Sequence, residues 1–169
     1  MSAITDYFTA SSDEIAATAL EGLLDLDPDV VEAARVLYRT DPEEASRPRV
    51  GSASSGTPIL QAKGIEPSIA LSRLEAALTG RTYEQVKSGR RRGALVAADE
   101  DAFVFTVADE LRDALAGLDS DAVTAAARVW IFDEAVEPSE ASAPFLTALA
   151  DLATGAAARG ESIYCHMVV

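Results

Sequence analysis

The stretch Glu161–Val169, ESIYCHMVV, follows Gly160 and holds the chain's single cysteine, Cys165, and its single histidine, His166. Successive side chains of an extended strand point to opposite faces, so Ser162, Tyr164, His166 and Val168 share one side and Ile163, Cys165, Met167 and Val169 the other. Adjacent Cys165 and His166 therefore point apart and cannot form a thiol–imidazole pair, which needs hydrogen-bond reach. The expectation is a closing strand. Cys165 belongs in the core, because free cysteine behaves as a small buried hydrophobe, and His166 is packed or hydrogen-bonded on the opposite face.

Working back from this strand, Phe145, Leu146, Leu149, Leu152, Ala153 and Ala156 recur with helical period and predict a helix that Gly160 ends. At the other end of the chain, Ile4, Tyr7 and Phe8 within residues 3–9 read as a short strand. Ser11 and Glu14 then have the spacing of a capping box, ahead of Ile15, Ala19, Leu20, Leu23 and Leu24. Asp27 and Pro28 restart a second helix as N-cap and first turn, with Val30, Val31, Ala34, Leu37 and Tyr38 on its apolar side. Residues 59–62 read as a short strand, Pro67 opens a helix that Gly80 closes, and residues 82–86 add a turn. Phe103–Phe105 reads as a strand or a buried linker, Thr106 as the cap of a helix through Leu111, Leu115 and Leu118, and Asp119 or Ser120 as the start of another reaching Trp130. The acidic DEAVEPSEAS follows. Residues 41–58 are rich in Pro, Ser, Gly and charge, residues 87–101 (KSGRRRGALVAADED) are rich in charge, and both are expected to be flexible loops. The pattern predicts a single α+β domain over residues 1–169, rich in helix, with a small sheet that includes the N- and C-terminal strands.

The formal charge is −14, and it is distributed unevenly. Residues 1–32 carry 8 acids and no base, residues 33–92 carry 6 acids and 11 bases, and residues 93–169 carry 14 acids and 3 bases. An acidic average surface repels phosphate backbones, so nucleic acid is not the expected partner. The basic middle can dock an anion or pair with the acidic ends of its own chain, and the intramolecular pairing is the preferred reading. No apolar run is long enough for a membrane span, and MSAITDYF lacks the basic and apolar segments of a signal peptide. With a single cysteine, these features lead to an expectation of a cytoplasmic protein without a membrane partner.

Several chemistries find no complete signature. A serine triad would need His166 as its base, and GSASSG at residues 51–56 misses the spacing of a G-x-S-x-G elbow. Asp25, Asp27 and Asp29 have calcium-loop spacing, but Val30 and Val36 stand where such a loop needs Gly and Glu. One histidine and one cysteine make a zinc site a poor expectation, and KSGRRRG at residues 87–93 lacks the ending of a phosphate loop. No catalytic residue, metal ligand or cofactor is assigned. Arg90, Arg91 and Arg92 remain a candidate basic finger for an acidic partner or phosphate.

Four segments, ITDYFTASSDEIAATALEG, EAALTG, ELRDALAGLDSDAV and RGESIYCHMVV, together resemble the YfbM-like family, a bacterial domain of unknown function. The GSASSGTP and SGRRRG loops depart from it. The resemblance implies an α+β domain whose first and last strands share a sheet, and it brings no site residues with it.

The functional expectation is a noncatalytic interaction protein, with a partner-neutralising or immunity-type role as one form of it, whose acidity speeds association with a basic protein. The alternative is a small-molecule-binding protein or hydrolase beside the closing strand, with Tyr164, His166 and Arg90, Arg91 and Arg92 as binding residues. Oligomeric state is left open by both.

Overall fold

The computed structural model describes residues 4–65, 67–130 and 142–169; residue Ala3 of the expected first strand and nearly all of DEAVEPSEAS lie outside the described residues. In chain order the elements are β1 (Ile4–Ala10), α1 (Asp13–Ala17), a 3₁₀ turn (Thr18–Glu21), α2 (Pro28–Thr40), α3 (Pro42–Ala45), β2 (Arg49–Ser52) and β3 (Pro58–Lys63). There follow α4 (Ala70–Thr79), α5 (Tyr83–Lys87), β4 (Leu95–Asp99), β5 (Ala102–Thr106), α6 (Asp109–Ala116), α7 (Ser120–Val129), α8 (Ser142–Arg159) and β6 (Ser162–Val168).

Local chemistry accounts for most of these boundaries. Asp27 caps α2 by accepting from the Asp29 N–H, with Pro28 in the first turn, and Asp119 caps α7 by accepting from the Ala122 N–H. The cap of α1 is Ser12 and not Ser11, because Ser12 holds the extended backbone from which its hydroxyl reaches the Ile15 N–H at 3.3 Å. Thr106 is not a helix cap. It ends β5, and its hydroxyl accepts from the Ala94 N–H and donates to the Arg91 carbonyl, so its bonding goes sideways to the preceding loop. Residues 41–58, expected as a flexible loop, contain α3 and β2, and residues 87–101 contain β4. Both strands are short edges whose order comes from pairing with β3 and β5, which no local pattern announces.

The sheet is six-stranded and antiparallel throughout, in the order β2-β3-β1-β6-β5-β4. It is larger than the sequence suggests, but it is built around the expected pair. β1 and β6 run side by side at its centre, in register from Ile4 opposite Val168 to Ala10 opposite Ser162, with a hairpin on either flank.

Alternation along β1 and β6 divides the interior into two cores. Tyr7, Leu60, Ile163 and Cys165 project to the face covered by α4, α6, α7 and α8, where Phe145, Leu146 and Leu149 are fully buried. Each such side chain contributes about 1.5–3 kcal/mol by leaving water. Phe8, Ile59, Val104 and Tyr164 project to the other face, beneath Ala16, Ala19 and Leu24 from α1 and the turn after it. This second core is smaller, and its cover is incomplete on the β2 side.

Candidate functional site

Tyr164 and His166 share the face of β6 that α1 covers, but they belong to different groups. The Tyr164 ring is buried and stacks on Phe8, with centroids 5.7 Å apart. Its hydroxyl donates to Asp13 Oδ1 at 2.8 Å and accepts from Arg91 Nη2 at 3.0 Å. Arg91 also grips Asp13 with both terminal nitrogens, at 2.8 and 3.2 Å, and its Nε lies 3.6 Å from Asp109 Oδ2. Asp109 in turn accepts from Ser162 at 2.8 Å and from Arg112 at 3.2 Å. Asp13 and Asp109 stand in the first turns of α1 and α6, where the helix dipole favours a carboxylate.

The electrostatics suit a latch. Hydrogen bonds from Arg91 and then from Tyr164 hold the Asp13 carboxyl below its usual range. Burial first, and then the neighbouring Asp13, push the Tyr164 hydroxyl up to about 12, against the opposing pull of Arg91. The phenol is therefore a fixed donor at neutral pH and not a base. Arg91 takes the left-handed backbone at φ 59°, and its carbonyl accepts from Thr106. Every charged member of the group is occupied by another. The basic middle of the chain is thus joined here to an acid from the N-terminal segment and one from the C-terminal segment, the intramolecular pairing expected from the charge distribution.

The three consecutive arginines do not act as a unit. Arg92 donates through Nη2 to the Ser68 carbonyl at 2.7 Å, through Nε to the Ser72 hydroxyl, and lies 5.7 Å from the Tyr83 ring centroid. It ties the loop to α4 and α5. Arg90 is exposed and has no ion pair among the described residues. His166 sits away from all three. Its Nδ1 is 3.6 Å from Asp6 Oδ2, and Asp6 Oδ1 accepts from Gln61 Nε2 at 2.9 Å, which makes a polar row across β6, β1 and β3. Among the described residues His166 Nδ1 has no hydrogen-bond partner.

Gln61, at the end of that row, opens into a groove of about 740 Å³. Its floor is the β1–β3 side of the sheet, and its wall is α2 with α3. Apolar residues repeat along α2 with helical period, yet none of its residues is buried; Val30 and Tyr38 are 52% and 60% exposed. Ile4, Leu26, Val31, Ala34 and Tyr38 give the groove an apolar lining. Arg35, Arg39, Arg47, Arg49 and Lys63 line it as well. Neither Tyr164 nor His166 lines this groove or the smaller cavity of about 210 Å³ between α8 and the β2–β3 hairpin.

Sequence reasoning counted these five cations as part of the basic middle but did not single them out. The available signal was the spacing of Arg35 and Arg39, one helical turn apart beside the apolar stripe of α2. That they face Lys63 across a concavity is a fact of three dimensions. Among the described residues no group of three His, Cys, Asp or Glu side chains is placed to hold a metal, and no helix is long and apolar enough to cross a membrane. Comparison of the chain with protein-family models, with curated proteins and with solved structures found no match.

Proposed function

We propose that the chain is a noncatalytic binding protein and that the groove between α2–α3 and the β1–β3 side of the sheet is where it binds. The observation that carries this reading is α2 itself. An amphipathic helix ordinarily buries its apolar stripe against its own domain, and here that stripe borders an open groove instead. The polar cluster around Tyr164 supports the same reading from the other side, since its phenol donates to Asp13 and its carboxylates are engaged by Arg91, Arg112 and Ser162, which leaves no free nucleophile or base within it. The test is fluorescence titration with the neutral apolar probe N-phenyl-1-naphthylamine. Saturable binding of one probe per chain is expected, and Ala34→Trp, which fills the groove from an only half-buried position, is expected to abolish it without lowering the melting temperature by more than a few degrees. Probe binding unchanged in Ala34→Trp, or no saturable binding, would overturn the assignment.

A second reading, association with a basic protein of the kind an immunity-type protein neutralises, is favoured by the outer surface. Asp25, Asp27 and Asp29 before and within α2, and Asp99, Glu100 and Asp101 at the β4–β5 turn, are exposed and carry no ion pair among the described residues. Such charge accelerates encounter with a basic partner at low ionic strength and loses its reach at high salt, where the Debye length falls to about 3 Å at 1 M. The reading predicts a stoichiometric basic partner retained from host lysate at low salt and released at high salt. Equal retention at both would count against it.

A further inference from the structure

Resting on the groove as the binding site, we infer that its occupant is a small single-chain amphiphile with an anionic head, a carboxylate of fatty-acid type. Arg35 and Arg39 lie one turn apart on α2, a like-charge spacing that weakens a helix. Arg47 and Arg49 approach from the segment after α3, and Lys63 from the end of β3. Glu32 meets Arg35 at 3.7 Å and Glu44 meets Arg47 at 2.7 Å, but both pairs are largely solvated and weak. Arg39 and Lys63 have no ion pair among the described residues. An anion seated between them would relieve the mutual repulsion, and an arginine fork fits a carboxylate with two parallel hydrogen bonds.

The remaining lining selects for a tail. Val31, Ala34 and Tyr38 on one wall, with Ile4 and Leu26, offer apolar surface next to the cations, so head and tail find their surroundings within one groove. The volume of about 740 Å³ is within the range of small-molecule sites. The charge of the whole chain narrows the choice further. At −14 it repels acidic proteins, nucleic acids and anionic membranes in proportion to their own charge. A ligand with a single negative charge escapes most of that repulsion, because charges farther away than about 8–10 Å are screened at physiological salt, while the groove cations act at contact.

The test is displacement of N-phenyl-1-naphthylamine from the full chain by decanoate and by decan-1-ol, both below their aggregation limits. Decanoate is expected to displace the probe at a concentration about tenfold lower than decan-1-ol, the effect of one charge-assisted hydrogen bond or more. The exposed double variant Arg39→Glu/Lys63→Glu is expected to erase that preference, read as the ratio of the two displacing concentrations, a ratio that a general change in probe affinity leaves untouched. Equal potency of the two amphiphiles in the wild type would overturn the anionic head and leave the apolar groove standing. Failure of the probe itself to bind would remove the groove reading and this inference together. Co-sedimentation with phosphatidylglycerol vesicles in preference to binding free decanoate would place the site at a lipid surface and overturn the free amphiphile.

Discussion

Phe145→Ala is expected to destabilise the fold by about 3–5 kcal/mol, the range for emptying a fully buried aromatic site. Phe145 is 0% exposed and sits where three elements meet. Its ring centroid is 5.6 Å from that of Tyr7 on β1, edge to face, and 5.6 Å from that of Trp130 at the end of α7, near parallel. Loss of the ring therefore opens a cavity against the sheet and removes two aromatic contacts, each contributing about 0.5–1.5 kcal/mol beyond its buried area. For a domain of this size, each kcal/mol lowers the melting temperature by roughly 2–4 °C, so a fall of roughly 6–20 °C follows. Trp130 is the only tryptophan and is almost completely buried, so its fluorescence follows unfolding directly. A fall of less than about 3 °C would mean that α8 is not the element holding the larger core together. Phe145→Leu, which keeps most of the volume, is expected to recover at least half of the loss.

Arg91→Ala is the second large effect, at about 1–3 kcal/mol, because it removes the guanidinium shared by Asp13, Asp109 and Tyr164 and leaves the part-buried phenol and carboxylates facing one another. Two controls separate side chain from backbone. At φ 59° alanine carries the left-handed penalty and glycine does not, so Arg91→Gly is expected to be less destabilised than Arg91→Ala by about 0.5–1 kcal/mol. The acid limb tests the charge. Asp13 has a folded-state pKa below its ordinary value of 3.8, so its stabilising contribution is complete above that value and is lost as pH falls through the lower, folded one. The wild-type and Arg91→Ala unfolding curves should therefore differ at neutral pH and draw together as pH falls through the lowered folded-state pKa of Asp13. A gap that persists unchanged in acid would show that Arg91 acts through its packing on Tyr164 alone.

The parts of this fold that can be read from the sequence are those encoded locally. The alternation in ESIYCHMVV sorts Tyr164 from Cys165 correctly onto two cores, and the period of Phe145, Leu149, Leu152 and Ala156 describes α8. Asp27, Gly80 and Asp119 mark helix ends by the chemistry of unpaired backbone groups. The rest is set by partners remote in sequence. RVGS and LVAAD become β2 and β4 because β3 and β5 supply the other half of each ladder, and the polar, small residues of both suit edge strands. Arg90, Arg91 and Arg92 look like one basic patch on paper. A left-handed residue in their midst turns Arg91 toward β6, Arg92 toward α4, and Arg90 to solvent. His166 and Tyr164 are neighbours by alternation, yet the row across the sheet gives one to Asp6 and the other to Asp13. The groove was the least legible feature, since α2 reads as an ordinary amphipathic helix until its apolar stripe is seen to border an opening.

The central seam between β1 and β6 has a consequence for how the molecule comes into being. Residues more than 150 positions apart must meet before the two hairpins can become one sheet. The entropy of closing so long a loop has to be met before the contacts that reward it exist, which makes a slow, late step. On the ribosome the β1–β2–β3 half emerges first with an open edge, and it waits through the synthesis of every helix of the larger core until Ser162–Val168 arrives to cover that edge. Until then the unpaired side of β1 is an open ladder of backbone donors and acceptors on which another chain's strand can pair, so a chain truncated before β6 is expected to aggregate where the full chain does not.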